Sequence, residues 1–140
     1  MTQPFTTHVK VRHNEIDALG VVNNAIYQQY LEQAAVAHSE HLGFDLDRYR
    51  DLGGVFVMRR IELEYLHPAI ADDILAITTW ILEIRGACAI RRYEVRRQGE
   101  PDLLLTAEAL WVWVDIHTMR PRAIPDKVLE SFGQLALCTR

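Results

Sequence analysis

The chain has 140 residues, 49% hydrophobic and 24% charged, with a formal net charge of -4. A chain of this length buries roughly two-thirds of its unfolded surface on folding, so one core forms without disulfides or a structural metal; stapled miniproteins are excluded and a second domain is disfavoured. The lack of a long basic run argues against nucleic acid, and no stretch approaches the roughly 20 apolar residues of a membrane span.

The N-terminal segment lacks the basic and apolar regions of a secretory signal. The two cysteines, Cys88 and Cys138, show no CxxC spacing and suit a reducing compartment. The expected location is cytoplasmic. No repeat, low-complexity tract or linker divides residues 1–140, which read as a single domain.

Phe5 to Arg12 has the β-branched content of a first strand, followed by a loop from Asn14 to Gly20. From Asn24 to Leu42 the period becomes helical, with Tyr27, Tyr30, Leu31, Ala34, His38 and Leu42 near one face. Asn23 or Asn24 can cap this helix, and Gly43 can end it in a left-handed conformation. A polar connection through Asp45, Asp47, Arg48 and Asp51 leads to Gly53 and Gly54, a bare pair suited to a turn.

Four strands follow, over Val55 to Leu66, Ile74 to Ile84, Cys88 to Arg97 and Leu103 to Ile116. Their connections are too short for parallel crossovers, so consecutive strands should be antiparallel. The order β-α-β-β-β-β, in the α+β class, is satisfied most economically by a long antiparallel sheet wrapped around one central helix. A short helix beginning at Pro125 is expected near the end.

Several chemistries can be set aside. The only serines, Ser39 and Ser131, lie outside any GxSxG, and no glycine-rich phosphate loop supports a nucleotide cofactor. Cys88 has apolar flanks and reads as a buried structural thiol. His38 and His41 are spaced i, i+3 but have no obvious third ligand, so they read as a partly exposed pair and no metal is expected. Arg91, Arg92, Arg96 and Arg97 read as a solvated sheet face or, functionally, as a contact for a phosphorylated carrier. Trp111 and Trp113 read as core or interface residues.

Chemistry concentrates in the loop before the helix. An aspartate there, Asp17, followed by a glycine turn and a helix start, can be partly desolvated beside N–H groups that carry the positive end of a helix dipole, although taken alone such an aspartate is more often a turn or capping residue. Arg12, Glu15, Asp17, Gly20, Val22, Asn23, Asn24, Tyr27, Tyr30, Glu32 and Ala34 fall in one register. That register resembles the signature of hotdog-fold thioesterases of the 4-hydroxybenzoyl-CoA thioesterase type. The wording from Asp17 to Ala25 and the tryptophan-rich last strand are most similar to the acyl-carrier-protein thioesterases of the methylketone-synthase and acyl-lipid group. Val21 departs from relatives that carry histidine there, so no role of that histidine transfers.

The resemblance implies a single hotdog domain that hydrolyses an acyl thioester without a cofactor. Asp17 would act as nucleophile or general base, and the Asn24 main-chain N–H as oxyanion donor, with Asn23 supporting the loop. Tyr27, Phe56, Val57, Met58 and Arg59 would contact substrate, the last four across a subunit interface. A homodimer, often paired further to a homotetramer, is implied. The partner molecule would be acyl-CoA or acyl carrier protein, carrying a fatty or β-ketoacyl group. An aromatic acyl-CoA thioesterase and a noncatalytic acyl-thioester-binding subunit are the alternatives, and dehydration or hydration lacks its catalytic histidine.

Overall fold

The computed structural model describes residues 3–133 and the backbone of Cys138–Thr139. Its elements are β1 (Phe5–Lys10), a 3-10 turn at His13–Glu15, α1 (Asn24–His41), α2 (Leu46–Leu52), β2 (Gly54–Tyr65), β3 (Ile74–Arg85), β4 (Cys88–Arg97), β5 (Leu103–Asp115), α3 (Asp126–Ser131) and β6 (Cys138–Thr139). The expected β-α-β-β-β-β order is present. The supposed polar connection at 45–51 instead contains α2, because Asp45 accepts the Arg48 N–H at 2.8 Å as an N-cap and Gly53 closes the helix at φ 73°.

The sheet runs β1-β3-β4-β5-β2, antiparallel throughout this path, with β6 parallel beside the end of β3. The two hairpins, β3-β4 and β4-β5, put consecutive strands side by side, whereas β2 pairs with β5 and becomes an edge. Register shifts at Met58/Arg60, Ile81/Glu83 and Val95/Arg96 bend and twist the strands. The curled sheet packs on α1 through Tyr27, Tyr30, Leu31, Ala34 and Ala35, which bury against Leu75, Ile77, Tyr93, Val95 and Leu105.

A second cluster joins α2 and α3 to the sheet, with Phe44, Tyr49, Trp113, Leu129 and Phe132 at its centre. Trp113 is fully buried, so it is a core residue, while Trp111 is half-buried between the two clusters. Gly54 is needed here for space, since a Cβ at that position would run into the Trp113 indole. Cys88 is half-buried rather than buried, and the Cys138 side chain lies outside the described residues.

The histidine pair is split. His41 is exposed, but His38 is buried, stacked on Phe5 and bonded through Nδ1 to Arg91 Nη1 at 2.9 Å. Burial first, then the neighbouring Arg91 and His41 charges, lower the His38 pKa from 6.5 to about 4. Between those values the unfolded chain binds a proton that the folded chain refuses, so stability rises with pH across this window and is lost as pH falls through it. The loss should approach about 3 kcal/mol by pH 4. Urea titrations at pH 7 and pH 4.5 should show it, and His38→Gln, which keeps an acceptor for Arg91, should flatten the difference.

Candidate active site

The loop between β1 and α1 is tied down by main-chain and carboxylate bonds. An antiparallel bridge at Ile16 and Val22 closes it, with the Asp17 N–H donating to the Val21 carbonyl at 2.8 Å. The Val22 N–H donates to Ala69 and the Asn23 N–H to the Glu15 carbonyl, both at 2.9 Å. Glu15 Oε1 accepts from the Arg12 N–H and from the Tyr30 hydroxyl, each at 2.8 Å, so one carboxylate oxygen links the loop to the helix core. Burial and the Glu15 bond push the Tyr30 hydroxyl pKa well above its ordinary value, which keeps it a donor.

Asp17 is half-buried. Its Oδ1 accepts the Leu19 N–H at 2.8 Å and, at the longer 3.5 Å, the Val21 N–H; its carbonyl accepts the Gly20 N–H at 3.0 Å. Gly20 turns the chain at φ 82°, a left-handed conformation that side chains resist. Oδ2 has no hydrogen-bond partner among the described residues. One oxygen is thus held by the turn while the other remains available.

At the helix start, Asn23 is the N-cap: its Oδ1 accepts the Ala25 N–H and its carbonyl the Ile26 N–H, each at 2.9 Å. The Asn23, Ala25 and Ile26 N–H groups are therefore all engaged, and the Asn24 N–H between them has no acceptor among the described residues. An unpaired N–H at the first turn, reinforced by the helix dipole, is suited to an anion or a developing oxyanion.

Tyr27 is buried, 3% exposed, and its hydroxyl accepts the Ala69 N–H at 3.2 Å. It stacks edge-on with Tyr30 and Tyr65. Tyr65 donates to the Asn24 carbonyl at 3.0 Å. Sequence reasoning assigned no role to Tyr65, which ends β2, or to the two hydrogen bonds accepted by Glu15, which lies inside the Arg12–Ala34 register.

Phe56, Val57, Met58 and Arg59 are not brought to Asp17 of the same chain. Tyr65, which touches the helix start, lies nine residues beyond Phe56, or about 30 Å of strand. Phe56 instead reaches the second core cluster and Met58 the first, Val57 is half-buried, and exposed Arg59 is the extra residue of the β2 bulge.

The four arginines do not form one patch. Arg92 pairs with Glu108 at 3.0 Å, Arg96 with Glu94 at 3.3 Å and Arg97 with Asp73 at 2.9 Å, while Arg91 is buried beneath α1. Each of the three outer arginines thus already has a local acid as a partner. Among the described residues no group of three or more His, Cys, Asp or Glu side chains is placed to hold a metal.

The thioesterase-like superfamily model matches residues 11–132, the loop, α1 and all of β2 to β5 included. The chain belongs to that family. The acyl-CoA thioester hydrolase YbgC of Escherichia coli is 35% identical over 133 residues, spanning 95% of this thioesterase and 98% of the relative. The chloroplastic acyl-acyl carrier protein thioesterase ATL3 of Arabidopsis thaliana is 27% identical, spanning 94% and 69%. A 1,4-dihydroxy-2-naphthoyl-CoA thioesterase from Synechocystis shares the fold at a TM-score of 0.85 and 18% identity, over 96% of this chain and 98% of that one.

The loop of this thioesterase depends on the Asn23 cap, so Asn23→Ala should cost about 1 kcal/mol of stability, measured as a lowered urea midpoint with an unchanged slope.

Proposed function

We propose that this thioesterase hydrolyses acyl-CoA at Asp17, with the Asn24 main-chain N–H receiving the thioester oxygen. The observation that carries the reading is the pairing, in one short loop, of a carboxylate with one tethered and one available oxygen and a helix-start N–H left without an acceptor. As a base, Asp17 takes a proton from water as the hydroxide oxygen adds to the carbonyl carbon. As a nucleophile, it adds through Oδ2 and forms a mixed anhydride that water then opens. In both routes the carbonyl oxygen becomes an oxyanion facing Asn24, and its collapse expels the carrier thiolate, a leaving group that needs little acid assistance.

Coenzyme A is favoured as carrier over acyl carrier protein because the acyl-CoA hydrolase from E. coli is both more similar and matched over nearly its whole length. Asn23 holds the donor in place, and Tyr27 fixes the helix start against Ala69. We assign the Phe56–Arg59 segment to the acyl site of a partner subunit, in a cytoplasmic homodimer that pairs further to a homotetramer, each subunit one domain over residues 1–140. The 12-residue edge strand β2 supports this assembly, since a long edge left open invites a second strand. Sedimentation should give a dimer or tetramer mass, and a monomer mass would oppose the shared site.

Thiol release from a panel of acyl-CoA and acyl-carrier-protein substrates tests the chemistry. Asp17→Ala and Asp17→Asn should lower kcat by about 100-fold or more, whereas Asn24→Ala, which leaves the main-chain donor, should stay within a few-fold of wild type. Wild-type rates in folded Asp17 variants would refute the assignment.

A further inference from the structure

A cavity of about 400 Å³ lies beneath the C-terminal half of α1, well within the range of ligand sites. Its walls are apolar, including Ala35, Phe44, Phe56, Ile81 and Trp111, yet Arg91 lies among them. Arg91 is 5% exposed. Its Nη1 donates to Thr79 Oγ1 at 3.0 Å and meets His38 Nδ1 at 2.9 Å; Nε and Nη2 have no acceptor among the described residues. His38 is uncharged near neutral pH, so neither partner balances the guanidinium. Glu40 and Asp45, exposed at the rim, make no ion pair with it.

A guanidinium cannot shed its charge in a protein, and a nearly buried charge without a counterion is costly. Every other arginine of β4 has its carboxylate: Arg92, Arg96 and Arg97 each pair with an acid. The fork left over on Arg91 matches the two oxygens of a carboxylate. The cavity is too far from Asp17 of its own chain to share an acyl group with it, because Ala35 lies 11 residues along the helix from Asn24, about 16 Å. It is instead lined by Phe56, from the segment assigned above to the partner's acyl site, and by its neighbour Val55.

We propose that Arg91 selects acyl groups that carry a carboxylate at the end distal to the thioester, the apolar walls taking the methylene chain between. This rests on the reading that the start of β2 lines the acyl site. Met at position 91 keeps a long side chain and strands no carboxylate, although His38 Nδ1 and Thr79 Oγ1 lose a donor, so the fold of Arg91→Met is checked directly.

The test compares adipoyl-CoA with hexanoyl-CoA, and longer pairs matched in the same way, on wild type and Arg91→Met, with circular dichroism to establish folding. Wild type should prefer the carboxylated member by about tenfold or more in kcat/KM, and Arg91→Met should abolish or invert that preference. Equal rates within every pair, or a preference that survives Arg91→Met, would overturn the proposal.

Calorimetry needs neither turnover nor the variant. Monomethyl adipate should bind wild type at least about tenfold more tightly than methyl hexanoate, and equal or absent binding of both would count against Arg91. Activity that survives in Asp17→Ala, beside an intact carboxylate preference, would instead locate the failure in the Asp17 assignment.

Discussion

Helix α1 carries tyrosines at its N-terminal end and alanines midway along the face that it turns to the sheet, and this gradient of side-chain size sets how closely the sheet can approach. Ala34 is fully buried and Ala35 nearly so, which lets β3, β4 and β5 close over the helix; Tyr27 and Tyr30 fill the wider end. Burial of this one face is the main source of cohesion, because an isolated 18-residue helix of this composition would be marginal in water. The loop chemistry depends on it, since Tyr30 reaches Glu15 and Tyr27 reaches Ala69 only when the helix is seated.

That seating explains how a surface loop becomes geometrically well defined. Main-chain bonds from Val22, Asn23 and Asp17 leave little conformational freedom between the bridge and the helix. The Asn23 cap consumes the N–H on the far side of Asn24, and the Glu15 carbonyl consumes the one before it. Among the described residues the Asn24 N–H is therefore left without an acceptor, in the same loop as a carboxylate that the Gly20 turn has already oriented. Preorganisation of this kind spares the reaction the cost of arranging dipoles as charge develops.

At its other end the same helix does something different. There the small residues and the second core cluster leave a cavity, and the sheet supplies Arg91 from beneath. The bulges that curl the sheet also re-aim β2, whose edge carries Arg59 as the unpaired extra residue. The two ends of α1 are thus chemically distinct, one presenting a half-buried carboxylate beside the helix start and the other an apolar chamber with a buried cation.

Much of this was legible in the amino-acid sequence. Periodicity located α1 and the five main strands, short connections implied the antiparallel neighbours β3, β4 and β5, and the register from Arg12 to Ala34 identified the family, because these signals act over a few residues or through fixed spacing; that β2 pairs with β5 instead of its successor β3 was not legible. The helix α2 was not read from the sequence, since it is only seven residues long and its three apolar residues, Leu46, Tyr49 and Leu52, are separated by charged pairs that resemble a polar connection. Nor was the contrast between Arg91 and its neighbours: alternation put Arg91 and Arg97 on one face, yet Arg97 meets Asp73 at the sheet margin while Arg91 lies under the helix. Sequence alone determined the fold class, the family and the loop on which the proposed chemistry rests. Tertiary structure decided which N–H stays unpaired, that His38 is buried and uncharged, and that a cation faces the cavity, because each depends on groups far apart in the chain meeting out of water.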